Sequence, residues 1–215
     1  LLITLSVYAG VVFSEHNRNA TMVYEDFYSE TNLADIIVET YDIHPKENLT
    51  SACTSIETVI CESGINLDGQ THYTFTDGES HWLKSKFYGM GSSEVNGLWK
   101  IGKEGSISPG DGEVVIDAHF ANNVTVGMSI GDKINVIVGE GLIHELTVVG
   151  IANSPLELFY AEPGMIFPQE TDYVVGYLDA DYLANISGNA EGSRNVLNID
   201  LVGTPDFDYS NTELD

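Results

Sequence analysis

The stretch Gly97-Leu-Trp-Lys-Ile-Gly-Lys103 is the segment whose residue types come nearest to a known chemical motif. Glycines followed by lysine occur in loops that hold phosphate with backbone N–H groups, and such loops continue with Ser or Thr, whose hydroxyl binds magnesium. The next residue here is Glu104, whose charge would repel phosphate. No strand-to-helix pattern surrounds the stretch. The sequence therefore predicts no nucleotide site.

The histidines and carboxylates do not indicate a catalytic or metal site. The histidines form neither His-Glu-x-x-His nor His-x-His, although two of them could face each other across a hairpin. Carboxylates are so abundant that no pair stands out, and Asp111-Gly-Glu113 is too short for a calcium loop. We therefore expect no catalytic residue, no metal, no cofactor and no enzymatic activity. The two histidines in question are His72 and His81, and the others are His16, His44, His119 and His144.

Two cysteines leave two interpretations open, a local disulfide or two free thiols in the core. Four Asn-x-Ser/Thr tripeptides are acceptors for N-linked glycans. Such tripeptides also arise by chance, but together with the charge they favour an extracytoplasmic domain in which the cysteines pair. The predicted disulfide joins Cys53 and Cys61, and the predicted glycosylation sites are Asn19, Asn48, Asn123 and Asn185.

The charge of the chain excludes one class of partner. Among 215 residues, 33 are acidic and 8 are basic, for a net charge of −25. Nucleic-acid binding needs clustered Lys and Arg, so we expect no nucleic-acid partner. The acidic residues are spread along the chain, which is typical of proteins that stay soluble in high salt, and a cation-binding surface is the alternative. With 43% apolar residues the chain can build a core.

Residues 1–13 are apolar and carry no charge. As a helix they would cover about 20 Å, less than the roughly 30 Å of a hydrocarbon core. They lack the basic start and the cleavage site of a signal peptide. We expect them to be the outer end of a first transmembrane helix, with a buried N-terminal helix as the alternative. Residues 14–32 would continue from it as a connecting helix.

The elements that follow alternate between β-type and helical patterns. Residues 34–75 form a predicted strand–helix–strand unit with a turn at 66–69, and the middle of the chain forms a predicted antiparallel β lobe. The Gly- and Ser-rich segment 78–112 predicts loops with short strands. Predicted strands cover 34–41, 57–64, 73–75, 113–117, 133–138, 142–152, 173–178 and 195–202, and predicted helices cover 46–56, 118–123 and 179–186.

Three glycine positions predict local geometry. Gly131-Asp132 predicts a turn, because Gly tolerates positive φ and Asp bonds nearby backbone. Gly139-Glu-Gly141 predicts a hairpin turn. Gly150, inside a predicted strand, indicates a bulge or a close approach of backbone.

Four short segments form an ordered pattern over most of the chain. The first is Phe27-Tyr28 with NLADIIVE at 32–39, and the second is GEVVIDAHFA at 112–121 with the glycines that follow it. The third is LTVVGI at 146–151, and the fourth combines YVVGY at 173–177 with NVLNI at 195–199. In their order and spacing, these segments resemble the extracytoplasmic domain of ABC transporter permeases of the FtsX/MacB/LolC-E type.

The resemblance implies a two-lobed α+β fold, the MacB-like periplasmic domain. An α/β lobe would contain residues 33–75 and 172–215, and residues 76–171 would form an inserted β-rich lobe. The rest of the second strand–helix–strand unit and the later membrane helices would follow Asp215. With the charge, the resemblance suggests a salt-adapted archaeal member. The family has no catalytic residues in this domain.

The resemblance also implies a function in the cell membrane, with this domain on the outer side. A separate cytoplasmic ATPase subunit or domain would hydrolyse ATP, and the outer domain would do mechanical work on a client, as in export of lipoproteins, lipids, drugs or peptides. The partners implied are this ATPase, a second permease subunit and an unknown extracytoplasmic client.

Two other hypotheses are a membrane-anchored binding or adhesion module of the pilin-like kind, without an ATPase, and a secreted acidic hydrolase. A permease would continue into three more apolar segments of about 20 residues, and an anchored module would stop. An enzyme should gather carboxylates or histidines in one pocket.

Under the permease hypothesis, exposed aromatic residues of the β lobe would contact the partner. The alternative is that these aromatics fill the core of the lobe. The predicted partner-binding residues are Trp82, Phe87, Tyr88, Trp99, Phe159 and Tyr160.

Overall fold

The computed structural model describes residues 23–54, 59–91, 94–157 and 171–201. The predictions for residues 1–13, Asn19, Phe159 and Tyr160 lie outside these ranges. Helix α1 covers residues 23–31. The other elements are β1 Ile36–Pro45, α2 Lys46–Thr50, a 3₁₀ turn Ser51–Cys53, β2 Val59–Thr74, β3 Ser80–Met90, β4 Trp99–Lys100, β5 Glu113–Asp117, α3 Ala118–Ala121, β6 Lys133–Val138, β7 Ile143–Asn153, a 3₁₀ turn Pro155–Glu157, β8 Tyr173–Asp179, α4 Ala180–Ile186 and β9 Ser193–Leu201.

Six strands pair in a closed ring, which we call the cylinder. Strand β2 pairs with β3 and β6, β3 pairs with β8, β8 with β5, β5 with β7, and β7 with β6. Side chains alternate along each strand, so every second residue points inside. The interior is apolar and includes Phe87, Val136 and Leu146, all fully buried. The polar pair inside it is satisfied, because the Ser85 hydroxyl donates to Thr71 Oγ1 at 2.7 Å.

The first part of β2 runs beyond the cylinder into a three-stranded extension. Residues 59–64 pair with β9, which pairs on its other side with β1. Asn195 stands where β2 enters the cylinder: its Oδ1 accepts from the Asn66 N–H at 2.8 Å, and its Nδ2 donates to the Asn66 carbonyl at 2.9 Å. The side-chain amide of Asn195 therefore pairs with both backbone groups of Asn66 at the point where β2 and β9 separate. The boundaries of the two predicted lobes stay a prediction.

The predicted strands of the second half of the chain are confirmed. Strands β5 and β6 have the predicted bounds, and the ends of β7, β8 and β9 differ by a residue or two. The predicted helix 46–56 is shorter, since α2 ends at Thr50 and a 3₁₀ turn follows.

Two predictions in the first half are wrong. Residues 80–90, in a segment predicted as loops with short strands, form the long strand β3, and residues 59–64 and 73–74 of two separate predicted strands lie in one strand, β2. The predicted turn at 66–69 therefore does not exist. Gly69 is needed for packing, because a Cβ there would lie 2.9 Å from Cε2 of the Phe87 ring.

The three predictions at glycines are confirmed. Gly131 has φ 96°, and Asp132 Oδ2 accepts the Ser129 N–H at 2.8 Å. Gly139 and Gly141 both have positive φ in the β6–β7 hairpin. At Gly150 the β5–β7 register shifts, and a Cβ would collide with the Ser106 carbonyl.

Two short helices begin at aspartates. Asp117 Oδ1 accepts the His119 N–H at 2.9 Å at the start of α3, and Asp179 Oδ1 accepts the N–H groups of Asp181 and Tyr182 at the start of α4. The predicted start of a helix at Asp179 is confirmed. No helix within the described ranges has the length and apolar character needed to cross a membrane.

Candidate coupling site between the first helix and the sheet

Helix α1 ends against the loop of residues 94–98, which leads into β4. Asn32 follows the last helical residue with φ 49°, and Asn96 in the loop has φ 54°. Among non-glycine residues Asn is one of the few that adopts positive φ readily, and it is frequent just after helices. The Asn96 N–H donates to the Asn32 carbonyl at 2.8 Å, and the Gly97 N–H donates to the Thr31 carbonyl at 2.7 Å.

The side chains of both asparagines add a further bond each. Asn32 Nδ2 donates to the Glu94 carbonyl at 2.6 Å, and Asn96 Oδ1 accepts the Ala34 N–H at 2.9 Å. We call Asn32 and Asn96, with these four hydrogen bonds, the asparagine clamp. Because the bonds run in both directions, the end of the helix and the loop hold each other in position.

Aromatic packing supports the clamp on the side of the helix. Phe27 is buried, and its ring centroid lies 5.5 Å from that of Trp99. Thr31 is also buried and donates its hydroxyl to the Phe27 carbonyl at 2.7 Å. Trp99 begins β4, which pairs with β7 at Asn153. The helix is therefore attached to the cylinder through β4.

A buried carboxylate attaches the same loop to the extension. Glu62 lies in the part of β2 that pairs with β9, and its Oε2 accepts the Val95 N–H at 3.0 Å. The loop of residues 94–98 thus contacts α1, the cylinder and the extension.

A polar network lies on the outer wall of the cylinder near the loop. Tyr88 donates its hydroxyl to Glu157 Oε1, and Tyr177 donates to Asp117 Oδ2 at 2.9 Å. The two tyrosine rings stack with centroids 5.7 Å apart. His119 Nδ1 lies 2.7 Å from Asp117 Oδ1. The network holds the turn after β7 onto β3 and β8.

Burial dominates the ionisation of this network. Desolvation raises the pKa of the Glu157 carboxyl above its ordinary value, although the Tyr88 hydrogen bond and the Lys86 charge oppose it. Desolvation and then the charge of Asp117 raise the pKa of Tyr177 well above 10.0. For Tyr88, desolvation and then Glu157 raise the pKa in the same way. We therefore expect both phenols to stay protonated donors.

The structure places the predicted partner-binding aromatics in different surroundings. Phe87 points inside the cylinder with no exposed surface, and Tyr88 is buried in the polar network. The two residues are adjacent on β3 and point to opposite faces, and the burial of both fits the alternative that these aromatics fill the core. Trp99 is half-buried against Phe27. Trp82 is 47% exposed, and its role in partner binding stays a prediction.

Trp82 belongs to an open outer face of the cylinder. It lies opposite His72, with ring centroids 5.0 Å apart. In the next row Ile137 pairs with Ile143, which is 61% exposed. We call these four residues the Trp82 face.

The predicted disulfide is confirmed. Cys53 and Cys61 are bonded, joining the 3₁₀ turn after α2 to the start of β2. Of the predicted glycosylation sites, Asn48 and Asn185 are exposed, and Asn123 is half-buried with its Oδ1 accepting the Thr125 N–H at 3.0 Å. Glycosylation itself stays a prediction.

The histidines do not meet across the hairpin. His72 lies opposite Trp82, and His81 lies opposite Tyr73, so the two imidazoles point to opposite faces of the β2–β3 pair. The described ranges hold no group of three or more His, Cys, Asp or Glu arranged to bind a metal. No helix follows β4 in residues 101–112, so the phosphate-loop geometry is absent there.

No sequence motif marked Asn32, Asn96 or Glu62 as functional residues. The dipeptide Asn96-Gly97 is a turn signal that could have been noticed. No local pattern relates Asn96 to the end of α1, because the Ala34–Asn96 bond joins residues 62 positions apart.

No protein-family model and no curated protein matches the chain. Solved structures similar to it include the following two. The periplasmic region of MacB from Actinobacillus actinomycetemcomitans is 12% identical over 78% of this chain and 73% of that one, with a TM-score of 0.50. The extracellular domain of the noncanonic ABC-type transporter YknZ from Gram-positive bacteria is 11% identical over 77% of this chain and 81% of that one, with a TM-score of 0.48.

The likeness to the MacB region is one of fold. The chain is a mixed α+β protein, mostly sheet with few helices, and it has the MacB-like periplasmic domain fold that the resemblance implied. Its salt-adapted, archaeal origin stays a prediction.

Proposed function

We propose that this chain is the extracytoplasmic domain of an ABC transporter permease. In this role it carries out no reaction itself. A separate cytoplasmic ATPase hydrolyses ATP, and the domain, in a permease dimer, converts the resulting movement of the membrane helices into mechanical work on a client outside the membrane. The Trp82 face is the surface offered to that client.

The observation that carries the proposal is the fold, which is that of a periplasmic region of MacB. The asparagine clamp supports the mechanical part. The connecting helix leads from the predicted membrane segment to the clamp, and movement of α1 relative to the loop would break the four hydrogen bonds of the clamp together. Each such bond contributes about 0.5–1.5 kcal/mol, so the joint resists slipping.

Co-purification tests the assignment to an ABC transporter. The native gene product is tagged, solubilised from membranes at native salt and isolated, and the eluate is assayed for ATP hydrolysis and for an ATPase subunit or domain. An untagged strain is the control. We expect the ATPase to copurify. A short, intact membrane-anchored protein without ATPase activity would overturn the proposal and favour the anchored binding module.

Distance measurements test the rigid joint in the full-length permease with its ATPase. Spin labels replace Glu25 on α1 and Glu104 after β4, both exposed. We expect the same label distance in the ADP and ATP-analogue states, because the clamp moves as one body. The double substitution Asn32→Ala/Asn96→Ala should broaden the distribution, whereas Asn122→Ala should not. A nucleotide-dependent distance in the unaltered protein would contradict rigid coupling.

A further inference from the structure

A small cavity lies under the loop of residues 94–98. Its volume is about 40 Å³. Asn96 lines it from the loop, Val196 and Asn198 line it from β9, and Tyr88 and Tyr177 line it from the outer wall of the cylinder. The cavity therefore lies where the loop, the extension and the cylinder meet.

Three polar atoms of the lining residues have no hydrogen-bond partner among the described atoms of the protein. They are Asn96 Nδ2, a donor, Asn198 Oδ1, an acceptor, and the Ser63 hydroxyl, which can do either. Asn96 is only 4% exposed, and its other amide atom is already bonded to the Ala34 N–H. Leaving such an atom unpaired costs about 1–3 kcal/mol, and buried polar atoms nearly always have a partner.

We propose that this cavity is a binding site for ordered water, in which one molecule bridges Asn96 Nδ2 and Asn198 Oδ1. A buried water needs about 10–15 Å³ and two to four polar partners, so the volume admits about three molecules. The bridging water accepts from the Asn96 amide and donates to the Asn198 carbonyl oxygen. A single water satisfies this donor and this acceptor with both of its hydrogen-bonding functions, and the remaining volume admits a second water at the Ser63 hydroxyl.

The water site attaches the loop to β9. This attachment adds to the direct hydrogen bond from the Val95 N–H of the loop to Glu62 in β2. A water bridge differs from a direct bond because the water can reorient and re-form its bonds after a small displacement. The clamp holds the loop to α1 by direct hydrogen bonds. The contact of the loop with the extension is made partly through water. The inference rests on the cavity and its polar atoms and holds whatever the domain is attached to.

Apolar residues also line the cavity, among them Val95, Leu98 and Leu156. The competing hypothesis is therefore a dry cavity, and a dry apolar cavity takes up xenon. The two hypotheses give opposite results in one sample, the perdeuterated and ¹⁵N-labelled 215-residue chain with protonated methyl groups.

The test measures water-to-protein NOE and ROE cross-peaks by NMR and then methyl shifts under xenon pressure. We expect a cross-peak between water and the Asn96 side-chain amide with the sign of a long-lived water, and no xenon-dependent shift of the Val95, Leu98, Leu156 or Val196 methyl groups. Xenon-dependent shifts, or the absence of the water cross-peak, would overturn the proposal.

Substitutions of lining residues test whether the cross-peak between water and the Asn96 amide is assigned correctly. Ser63→Ala and Ser154→Ala each remove a lining hydroxyl that could relay magnetisation from water by proton exchange, and the cross-peak should persist in both. Asn198→Leu removes the acceptor at similar volume, and the cross-peak should disappear while the amide spectrum shows the fold retained. Persistence of the cross-peak in Asn198→Leu would also count against the bridge. Should Asn198→Leu fail to fold, the xenon result on the unaltered chain still decides.

Discussion

Asn32 and Asn96 carry the contact between α1 and the sheet. Among the described residues they are the two non-glycine residues with positive φ. Each combines a backbone conformation that few residues accept with a side-chain hydrogen bond, so each can be tested for the two contributions separately. Glycine accepts the same φ without strain, whereas alanine does not.

For Asn32, we expect alanine to destabilise the chain more than glycine. Asn32→Gly loses the bond to the Glu94 carbonyl, and we expect a loss of about 1 kcal/mol. Asn32→Ala adds strain of about 1–2 kcal/mol at φ 49°. Urea unfolding measures both. Asn122→Ala, at φ −82°, is the control and should stay within about 0.5 kcal/mol of the unaltered chain. Equal losses for the two Asn32 variants would show that strain plays no part.

Glu157 should make stability depend on pH. Its pKa is raised in the folded state, chiefly by burial, so the folded chain holds this proton more tightly than the unfolded chain. The stabilisation is fully present below the unfolded pKa of glutamate and is lost as pH rises through the folded pKa. Glu157→Gln should therefore match the unaltered chain near pH 4 and be more stable at pH 7.5.

Urea melts at the two pH values measure this difference. The exposed substitution Glu104→Gln controls for the change in net charge and should show the same pH dependence as the unaltered chain. A Glu157→Gln variant that is less stable at pH 7.5 would mean that the ionised carboxylate stabilises the network.

At the scale of elements, β2 organises the molecule because it belongs to both the cylinder and the extension. Its first residues have no partner on the cylinder and depend on β9 and on what precedes them. The disulfide from Cys53 to Cys61 ties this end of β2 to the turn after α2. The bond closes a short loop and restricts the unfolded chain.

Removing the disulfide should lower the free energy of unfolding. For a separation of 8 residues the loop-closure entropy predicts a loss of about 2.5 kcal/mol in Cys53→Ser/Cys61→Ser. Urea unfolding with and without dithiothreitol measures it. The reductant should destabilise the unaltered chain by a similar amount and leave the double variant unchanged. Sensitivity of the double variant to reductant would indicate an effect unrelated to this bond.

For the whole molecule, the dominant electrostatic fact is a net charge of −25. Few of the acidic groups have a basic partner available, since the chain holds 33 acidic and 8 basic residues. Mutual repulsion destabilises the compact state, and salt screens it. The screening length falls from about 10 Å at 0.1 M to about 3 Å at 1 M.

The unfolding temperature should therefore rise with NaCl and level off toward 1 M, where screening is nearly complete. Calorimetry between 0.05 and about 2 M NaCl measures this. NaBr at equal ionic strength should produce the same initial rise, because screening depends on ionic strength rather than on the anion. An unfolding temperature that does not change with NaCl would remove the physical basis for salt adaptation.

The sequence alone predicted the features that depend on neighbours along the chain. Runs of β-branched and other apolar residues located β5 to β9, and glycine and aspartate located the turns at 131–132 and 139–141. The ordered motifs indicated the fold, and the two cysteines left the disulfide as one of two options. These signals work because backbone conformation and side-chain alternation act over a few residues.

Only the tertiary structure decided which surfaces meet. The pairing of β2 with β3 and β6 keeps residues 66–69 in a strand instead of a turn, and Gly69 there leaves room for the Phe87 ring inside the cylinder. The clamp likewise joins segments some 62 residues apart. Contacts at such separations depend on the packing of the whole sheet, and the two asparagines have no local pattern that marks them as partners.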